Sequence, residues 1–199
     1  MKLYYSHVSP YARKSIMMAQ AIEIEALELI VQSPAEKEQF RQWNPLGKIP
    51  FLIDEDTVLM DSALICEYLN EHYASKKGYC FYQRGTSAYF DIQKQHTLAN
   101  GIMDAAVNII LEQRRDDAEQ SQRWMGLWTE AIYASLEQLQ ISHLGSADKP
   151  NIASFANIAM LEYLDFRMSH LGWRDKNPSL VEWHDKMKKI DWVVSTRPD

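Results

Sequence analysis

Cysteine is scarce in this sequence, and its two cysteines form no recognisable motif. Cys66 and Cys80 make no CxxC pair, and the six histidines show no spacing typical of metal ligands. Two isolated thiols in a chain of this size are typical of a reducing compartment rather than of a disulfide-stabilised scaffold. We therefore expect no bound metal and a cytoplasmic location.

Long apolar runs and an excess of positive charge are also missing. No segment approaches the roughly 18 consecutive apolar residues that span a bilayer, and the first residues lack the apolar stretch of a signal peptide. The formal net charge is −6, whereas a nucleic-acid-binding protein needs a basic surface. The sequence thus argues against a membrane protein and against a nucleic-acid partner.

The residues that are present predict two regions of different character. Apolar residues make up 46% of the chain, which is enough for a packed core. Residues 1–73 alternate short apolar runs with helical segments in the order β-α-β-α-β-β-α. The elements predicted there are strands at Lys2–Tyr5, Ala26–Val31, Ile49–Ile53 and Thr57–Met60, and helices at Pro10–Ile22, Ala35–Trp43 and Ser62–Tyr73.

Beyond residue 73 the strand pattern disappears. Residues 74–85 contain two glycines and no clear period, which predicts a linker, and residues 86–199 predict an all-helical domain. The helices expected there are Ser87–Arg115, Ser121–Ile141, Ser154–Leu171 and Pro178–Ile190. The predicted fold class is therefore an α/β domain followed by an all-α domain.

Three features of the first domain favour one ligand site. Ser9 precedes Pro10 at the start of a helix, where its hydroxyl either caps the helix or donates to a bound thiolate. Pro50 opens a strand. In the cis form it turns the backbone of Ile49 outward toward a peptide-like ligand, and in the trans form it only begins the strand.

The third feature is the pair Asp61 and Ser62 at the start of the next helix. Either residue is able to cap that helix. Free N–H groups and the Ser62 hydroxyl also suit a carboxylate, while Asp61 suits an ammonium group, so the pair fits an amino-acid head group. Lys48 is able to neutralise a second carboxylate.

The stretches that carry these features resemble the cytosolic glutathione transferases. Residues 44–52 (NPLGKIPFL) and 60–69 (MDSALICEYL) are similar to the glutathione-binding region of that family, and residues 6–14 (SHVSPYARK) are similar to the start of bacterial members that use serine. The resemblance covers the whole chain. It implies a thioredoxin-like domain followed by a helical bundle.

The same resemblance implies the roles of individual residues. Ser9 is expected to hold the glutathione sulfur as a thiolate, and Ile49, before a cis Pro50, to pair with the cysteinyl backbone. Asp61 and Ser62 are expected to bind the γ-glutamyl head, with Lys48 near a glutathione carboxylate. Tyr5, Tyr11 and backbone N–H groups remain alternatives to Ser9 as the group that stabilises the thiolate.

The resemblance also implies partners and a helix cap. It implies a homodimer, and a small electrophile bound between the Ser9 loop and the helix Ser87–Arg115. Residues 154–157 fall where the family has a capping motif, and the amide oxygen of Asn157 is expected to accept the N-cap hydrogen bond in place of the usual aspartate.

Two functions are consistent with these features. The first is a glutathione transferase, in which the thiolate attacks a small hydrophobic electrophile. The second is a non-catalytic protein of the same fold that carries a ligand or binds another protein. The presence of Lys48, Asp61 and Ser62 favours the enzyme, because a scaffold does not need them.

Overall fold

The computed structural model describes residues 1–32 and 37–198, which form two compact units. The first unit contains Met1–Thr86 together with the segment from Lys189 onward, and the second contains Ser87–Lys188. No helix among the described residues is both long and apolar enough to cross a membrane.

The first unit contains the predicted order of strands and helices. Its elements are β1 (Lys2–Tyr5), α1 (Pro10–Ala21), β2 (Glu28–Val31), α2 (Lys37–Phe40), β3 (Phe51–Asp54), β4 (Thr57–Met60) and α3 (Ser62–Leu69). Part of the predicted helix Ala35–Trp43 lies outside the described residues, and the described part is helical only over α2. The third strand begins at Phe51 rather than Ile49, in keeping with the lack of a backbone N–H on Pro50.

The four strands form one mixed sheet in the order β2-β1-β3-β4. β1 is parallel to β2, as a strand-helix-strand unit requires, and β3 is antiparallel to both of its neighbours. On one face of the sheet, Tyr4 stacks on Phe51 with ring centroids 4.2 Å apart, and Phe40 of α2 packs on both rings. Helix α1 packs against α3, where the Ser15 Oγ lies 3.7 Å from the Cys66 Sγ.

At the end of β3 a carboxylate joins the sheet to α3 and the turn that follows it. Asp54 Oδ2 accepts a hydrogen bond of 2.9 Å from the Tyr68 hydroxyl and a second bond from the Tyr73 hydroxyl. Its other oxygen lies 3.9 Å from the amino group of Met1. Burial and the hydrogen bond to Asp54 raise the pKa of Tyr68 to about 12.

The segment predicted as a linker packs back onto α3. The buried residues Phe81 and Tyr82 anchor it: Phe81 N donates to Asn70 Oδ1 at 3.0 Å, and the Tyr82 hydroxyl donates to Ala63 O at 3.2 Å. Aromatic side chains thus hold a segment whose glycines and lack of period gave no sign of this packing.

The second unit is helical throughout its regular elements. They are α4 (Tyr89–Glu112), α5 (Gln122–Glu137), α6 (Ile152–Arg167), α7 (Trp173–Lys176) and α8 (Pro178–Met187). Helix α6 is the core of the unit, because every residue from Ile152 to Leu164 is buried, and α4 packs against both α5 and α6. A helix that is buried on all sides is apolar on most of them, which explains its weak sequence period. The buried polar residues Ser154, Asn157 and Glu162 make hydrogen bonds instead.

The start of α6 corrects the predicted cap. Asn151 is the N-cap: its side chain accepts from Ser154 N at 3.1 Å, and Ser154 Oγ accepts from Asn151 N at 2.9 Å. The expectation that Asn157 accepts the N-cap bond is wrong, because it lies one turn further on and donates to Ala153 O at 2.9 Å. The helix begins earlier than predicted, so Ser154 occupies the third helical position.

A glycine makes this cap possible. Gly145 has a φ of 74°, and a Cβ at that position would lie 2.6 Å from Ser154 Oγ and 2.9 Å from Lys149 O. A side chain there would displace the serine that completes the capping box.

The last helix belongs to the first unit. Helix α9 (Asp191–Val194) packs against α1, although the sequence assigned residues 86–199 to the helical domain. The buried Arg13 side chain joins the two helices: its Nε donates to Thr196 Oγ1 and its NH2 donates to Val193 O, both at 3.3 Å. A contact of this kind depends on tertiary packing, and no local period reports it.

Candidate functional site

The strand register brings the three predicted features to one edge of the sheet. This edge is the row where β1 and β4 end and β3 begins, not an outer strand. Tyr4 of β1 pairs with Phe51 of β3, which in turn pairs with Met60 of β4. Neighbouring strands lie about 4.8 Å apart, so these three positions span roughly 10 Å. The chain leaves this edge toward Ser9, arrives at it from Lys48 and Ile49, and leaves it again at Asp61.

Ser9 is the N-cap of α1. Its backbone is extended, with φ −85° and ψ 116°, its side chain accepts a hydrogen bond of 3.2 Å from Ala12 N, and Pro10 follows as the first helical residue. A hydroxyl oxygen that accepts the Ala12 N–H still has its own proton to donate. The capping role is therefore present, and it is compatible with donation to a ligand at the positive end of the helix.

The Ile49–Pro50 peptide bond is cis, as predicted. Ile49 is half-buried and lies just outside the strand pairs, which start at Phe51. Among the described residues, no backbone hydrogen bond uses the Ile49 N–H or C=O. Both groups therefore suit a peptide-like ligand that extends along this edge.

A buried asparagine that was not predicted from the sequence fixes this loop. Asn44 Nδ2 donates to Lys48 O at 2.5 Å, and Asn44 Oδ1 accepts from Leu46 N at 3.1 Å. Asparagine in a turn commonly bonds to the backbone two residues on, so the Asn-Pro-Leu-Gly sequence was the available signal. Asn44 positions Lys48, whose own side chain is exposed.

Asp61, not Ser62, caps α3. Its Oδ1 accepts from Ala63 N at 2.7 Å, and its backbone has a φ of 77° and a ψ of 128°. A non-glycine residue in this region costs about 1–3 kcal/mol, and such residues cluster at ligand sites. The exposed carboxylate stands at the helix start, where an ammonium group would find an acceptor.

Ser62 is the first residue of α3 and is 4% exposed. Within the described residues, its hydroxyl makes no hydrogen bond. The hydroxyl and the N–H groups of the first turn suit a carboxylate, which the helix dipole favours as well. Asp61 and Ser62 together therefore offer one acceptor and several donors to a zwitterionic group.

Tyr5 lies at the end of β1 and lines a cavity on the β2 side of that strand. Its ring meets the His7 ring edge-on with centroids 5.2 Å apart, and it lines a cavity together with Leu29 of β2. Because β1 lies between β2 and β3, this cavity is on the side away from Ile49 and Asp61.

Cys66 has no place in this chemistry. It is buried within α3, and burial raises the pKa of its thiol. A buried thiol of raised pKa is a poor nucleophile, so Cys66 serves as a small apolar residue at the contact between α1 and α3.

Comparison with known proteins identifies the family. Residues 3–77 match the glutathione S-transferase N-terminal domain. An uncharacterised glutathione-S-transferase-like protein of Escherichia coli K12, YibF, is 30% identical over 203 residues, which cover 100% of this chain and 98% of the relative. The maleylacetoacetate isomerase of Pseudomonas aeruginosa is 30% identical over 169 residues, which cover 77% of this chain and 76% of the isomerase.

A solved structure has the same fold over the whole length of this chain. A glutathione transferase family member from Pseudomonas fluorescens Pf-5, crystallised with bound glutathione, superimposes with a TM-score of 0.91 and is 31% identical. The match covers 100% of this chain and 98% of that one. With a thioredoxin-like unit, a helical unit and full-length relatives, the chain belongs to the glutathione S-transferase family.

Proposed function

We propose that this protein is a glutathione transferase that binds reduced glutathione and activates its thiol. One observation carries the proposal: the sheet register brings the N-terminus of α1, the Ile49 backbone and the N-terminus of α3 to one edge. The bound glutathione of the Pseudomonas fluorescens relative supports the choice of ligand.

Each part of glutathione finds a chemical partner in this arrangement. The γ-glutamyl head carries an ammonium group for Asp61 and a carboxylate for Ser62. The cysteinyl amide pairs with Ile49, and Lys48 neutralises a further carboxylate. The sulfur then lies at Ser9.

The catalytic contribution is stabilisation of the thiolate. Lowering a thiol pKa from about 8.5 by two units requires about 2.7 kcal/mol. A hydrogen bond to a charged group contributes about 1.5–3 kcal/mol, and a helix N-terminus contributes about 0.3–1 kcal/mol. The Ser9 hydroxyl and the first turn of α1 together therefore supply enough. The thiol proton passes to solvent, and the sulfur lone pair forms the new bond to the electrophilic carbon. In a substitution the leaving group departs with its bonding electrons; in an addition to an activated double bond the π electrons move to the neighbouring atom, which then takes a proton from solvent.

Calorimetric titration with reduced glutathione tests the binding step. We expect saturable binding, and an affinity about 10–100-fold weaker in Ser62→Ala, because a hydrogen bond to a carboxylate contributes about 1.5–3 kcal/mol. Ser75→Ala is the matched control: this exposed hydroxyl donates to Glu71 O, away from the edge. If glutathione does not bind at millimolar concentration, the transferase proposal is wrong. The alternative, a non-catalytic protein of the same fold that carries a ligand or binds another protein, would then be favoured.

Turnover separates an enzyme from a glutathione-binding carrier. A panel of small hydrophobic electrophiles tests conjugation. A separate assay follows the isomerisation of maleylacetoacetate, because one relative is named as its isomerase. Binding of glutathione without turnover of any compound would support the carrier.

A homodimer is the proposed assembly. Light scattering at micromolar concentration is expected to give twice the chain mass of 23.2 kDa. A monomer mass would contradict it.

A further inference from the structure

The C-terminal segment, residues 191–197, is bonded to α1 at two separate places. Near the start of the helix, Arg13 Nε donates to Thr196 Oγ1 at 3.3 Å. Near the end of the helix, Ser195 Oγ donates to Gln20 Oε1 at 2.8 Å. Adjacent residues of the segment therefore hold two points of α1 that lie about 10 Å apart, because a helix rises about 1.5 Å per residue.

The contact of the arginine lies in the turn that Ser9 caps. Ala12 N donates to Ser9 Oγ at 3.2 Å, and Arg13 N donates to Ser9 O at 3.0 Å. The side chain of the same arginine is 5% exposed and also donates to Val193 O at 3.3 Å. One residue thus bonds to the proposed thiolate-binding serine through its backbone and to the C-terminal segment through its side chain.

An arginine is a costly residue to use for packing alone. Burial of a guanidinium carries a desolvation penalty, whereas an apolar side chain would pack α1 against α9 without one. The guanidinium adds direction, because its planar fork of N–H groups bonds only to acceptors at set angles. Thr196 Oγ1 and Val193 O both belong to the C-terminal segment, so the contact fixes the orientation of the start of α1 relative to that segment.

We propose that Arg13 is a positioning residue: together with the C-terminal segment, it holds the first turn of α1 so that the Ser9 hydroxyl meets the glutathione sulfur. The inference rests on the proposed transferase reaction and adds to it a residue that acts through Ser9. A hydrogen bond weakens steeply as its angle closes, and groups at a reactive site must be held within about 0.5 Å. A small shift of the helix start would therefore weaken the bond from Ser9 to the thiolate and raise the pKa of the bound thiol.

Removal of one hydroxyl group from the C-terminal segment tests the proposal without changing any charge. Thr196→Val removes the acceptor of Arg13 Nε. Ser195→Ala is the matched control, because it removes the bond to the far end of α1. Each of these hydroxyls also donates to the carbonyl four residues before it, so the two variants lose the same kind of bond to α9. A difference between them therefore reports which end of α1 has been released.

Amide hydrogen exchange, followed by nuclear magnetic resonance without glutathione, gives the first reading. We expect the Ala12 and Arg13 amides to exchange about 2–10-fold faster in Thr196→Val than in the unchanged protein, because loss of one hydrogen bond changes a local opening equilibrium by about that factor. The exchange of both amides should be unchanged in Ser195→Ala.

The pKa of the bound glutathione thiol, measured from thiolate absorbance against pH at saturating glutathione, gives the second reading. We expect this pKa to rise by about 0.3–1 unit in Thr196→Val and to stay unchanged in Ser195→Ala, since only the first variant releases the turn that Ser9 caps. Thr196→Ser retains a hydroxyl and should restore both readings. A role limited to folding would leave the thiol pKa where it is.

The other outcomes overturn the proposal. Equal effects of Thr196→Val and Ser195→Ala would mean that the C-terminal segment only stabilises α1 as a whole. An unchanged thiol pKa in Thr196→Val, with or without faster exchange, would mean that this contact has no consequence for the sulfur. In these cases glutathione still binds and the transferase proposal stands. Failure of glutathione to bind the unchanged protein would instead refute the transferase and, with it, this role of Arg13.

Discussion

Ser9 has two proposed roles, and a pair of variants separates them. Ser9 caps α1 by accepting from Ala12 N at 3.2 Å, and Ser121 caps α5 by accepting from Trp124 N at 3.3 Å. The two serines therefore make the same local contact, and only Ser9 lies at the proposed thiol site. Replacing each by alanine removes the same cap.

The two roles predict effects of different kind and size. Loss of either cap is expected to lower the free energy of unfolding by about 1 kcal/mol. Ser9→Ala also removes a hydrogen bond to the thiolate, worth about 1.5–3 kcal/mol, which raises the pKa of the bound glutathione thiol by about 1–2 units. At neutral pH the thiolate fraction then falls, and conjugation is expected to slow by about 3–25-fold.

Two measurements on the same three proteins provide the assay. Urea unfolding, followed by tryptophan fluorescence, gives the stability of the unchanged protein, Ser9→Ala and Ser121→Ala. Ultraviolet absorbance of the glutathione thiolate, recorded against pH with the site saturated, gives the thiol pKa. Ser9→Thr retains a hydroxyl and should keep most of the effect on that pKa.

The reasoning fails if the two alanine variants behave alike. An unchanged thiol pKa in Ser9→Ala, with the same loss of stability as in Ser121→Ala, would leave Ser9 as a helix cap only. The thiolate would then depend on Tyr5, on Tyr11 or on backbone N–H groups.

Three further predictions concern the framework. In urea unfolding, Gly145→Ala should lose at least about 2 kcal/mol more stability than Gly78→Ala. Both glycines have positive φ, but only Gly145 has atoms within 4 Å of the point that an added Cβ would occupy. Equal losses would contradict a steric clash at Gly145. In Asp54→Asn, spectrophotometric titration should show the pKa of Tyr68 falling part of the way from about 12, and an unchanged titration would rule out the hydrogen bond as a cause. Since this pKa is raised on folding, its contribution to stability is complete below about pH 10 and is lost as the pH rises through about 12. A thiol reagent should modify one cysteine in the native protein and two after unfolding, because Cys66 is buried; two fast thiols in the native state would refute its burial.

Much of the candidate site could be predicted because its signals are local. Ser9 before Pro10 indicates a helix start from two adjacent residues, and the Asp61–Ser62 pair does the same for α3. Which of the two caps α3 could not be predicted, because aspartate and serine are comparable N-caps. The structure assigns the cap to Asp61, which leaves the Ser62 hydroxyl for a ligand.

Other features depend on residues far apart in sequence or on the packing of a whole loop. The cap of α6 depends on the loop before the helix, because the Asn151 side chain also donates to His143 O and Ser154 Oγ donates to Leu144 O. Asn44 was missed as the residue that fixes Lys48, since its burial depends on how the complete loop packs.

The sequence by itself determined the order of strands and helices in residues 1–73, the starts of α1, α3 and α8, and the change to an all-helical region near residue 74. These are set by apolar periods of two and 3.6 residues and by turn residues, which act over a few positions. Only the tertiary structure decided the strand order β2-β1-β3-β4 and the register that joins Tyr4, Phe51 and Met60 at one edge. It also decided that the segment after Lys189 packs on α1 and encloses the cavity. Pairing and packing of this kind join distant segments through shape and burial, and no local period encodes them.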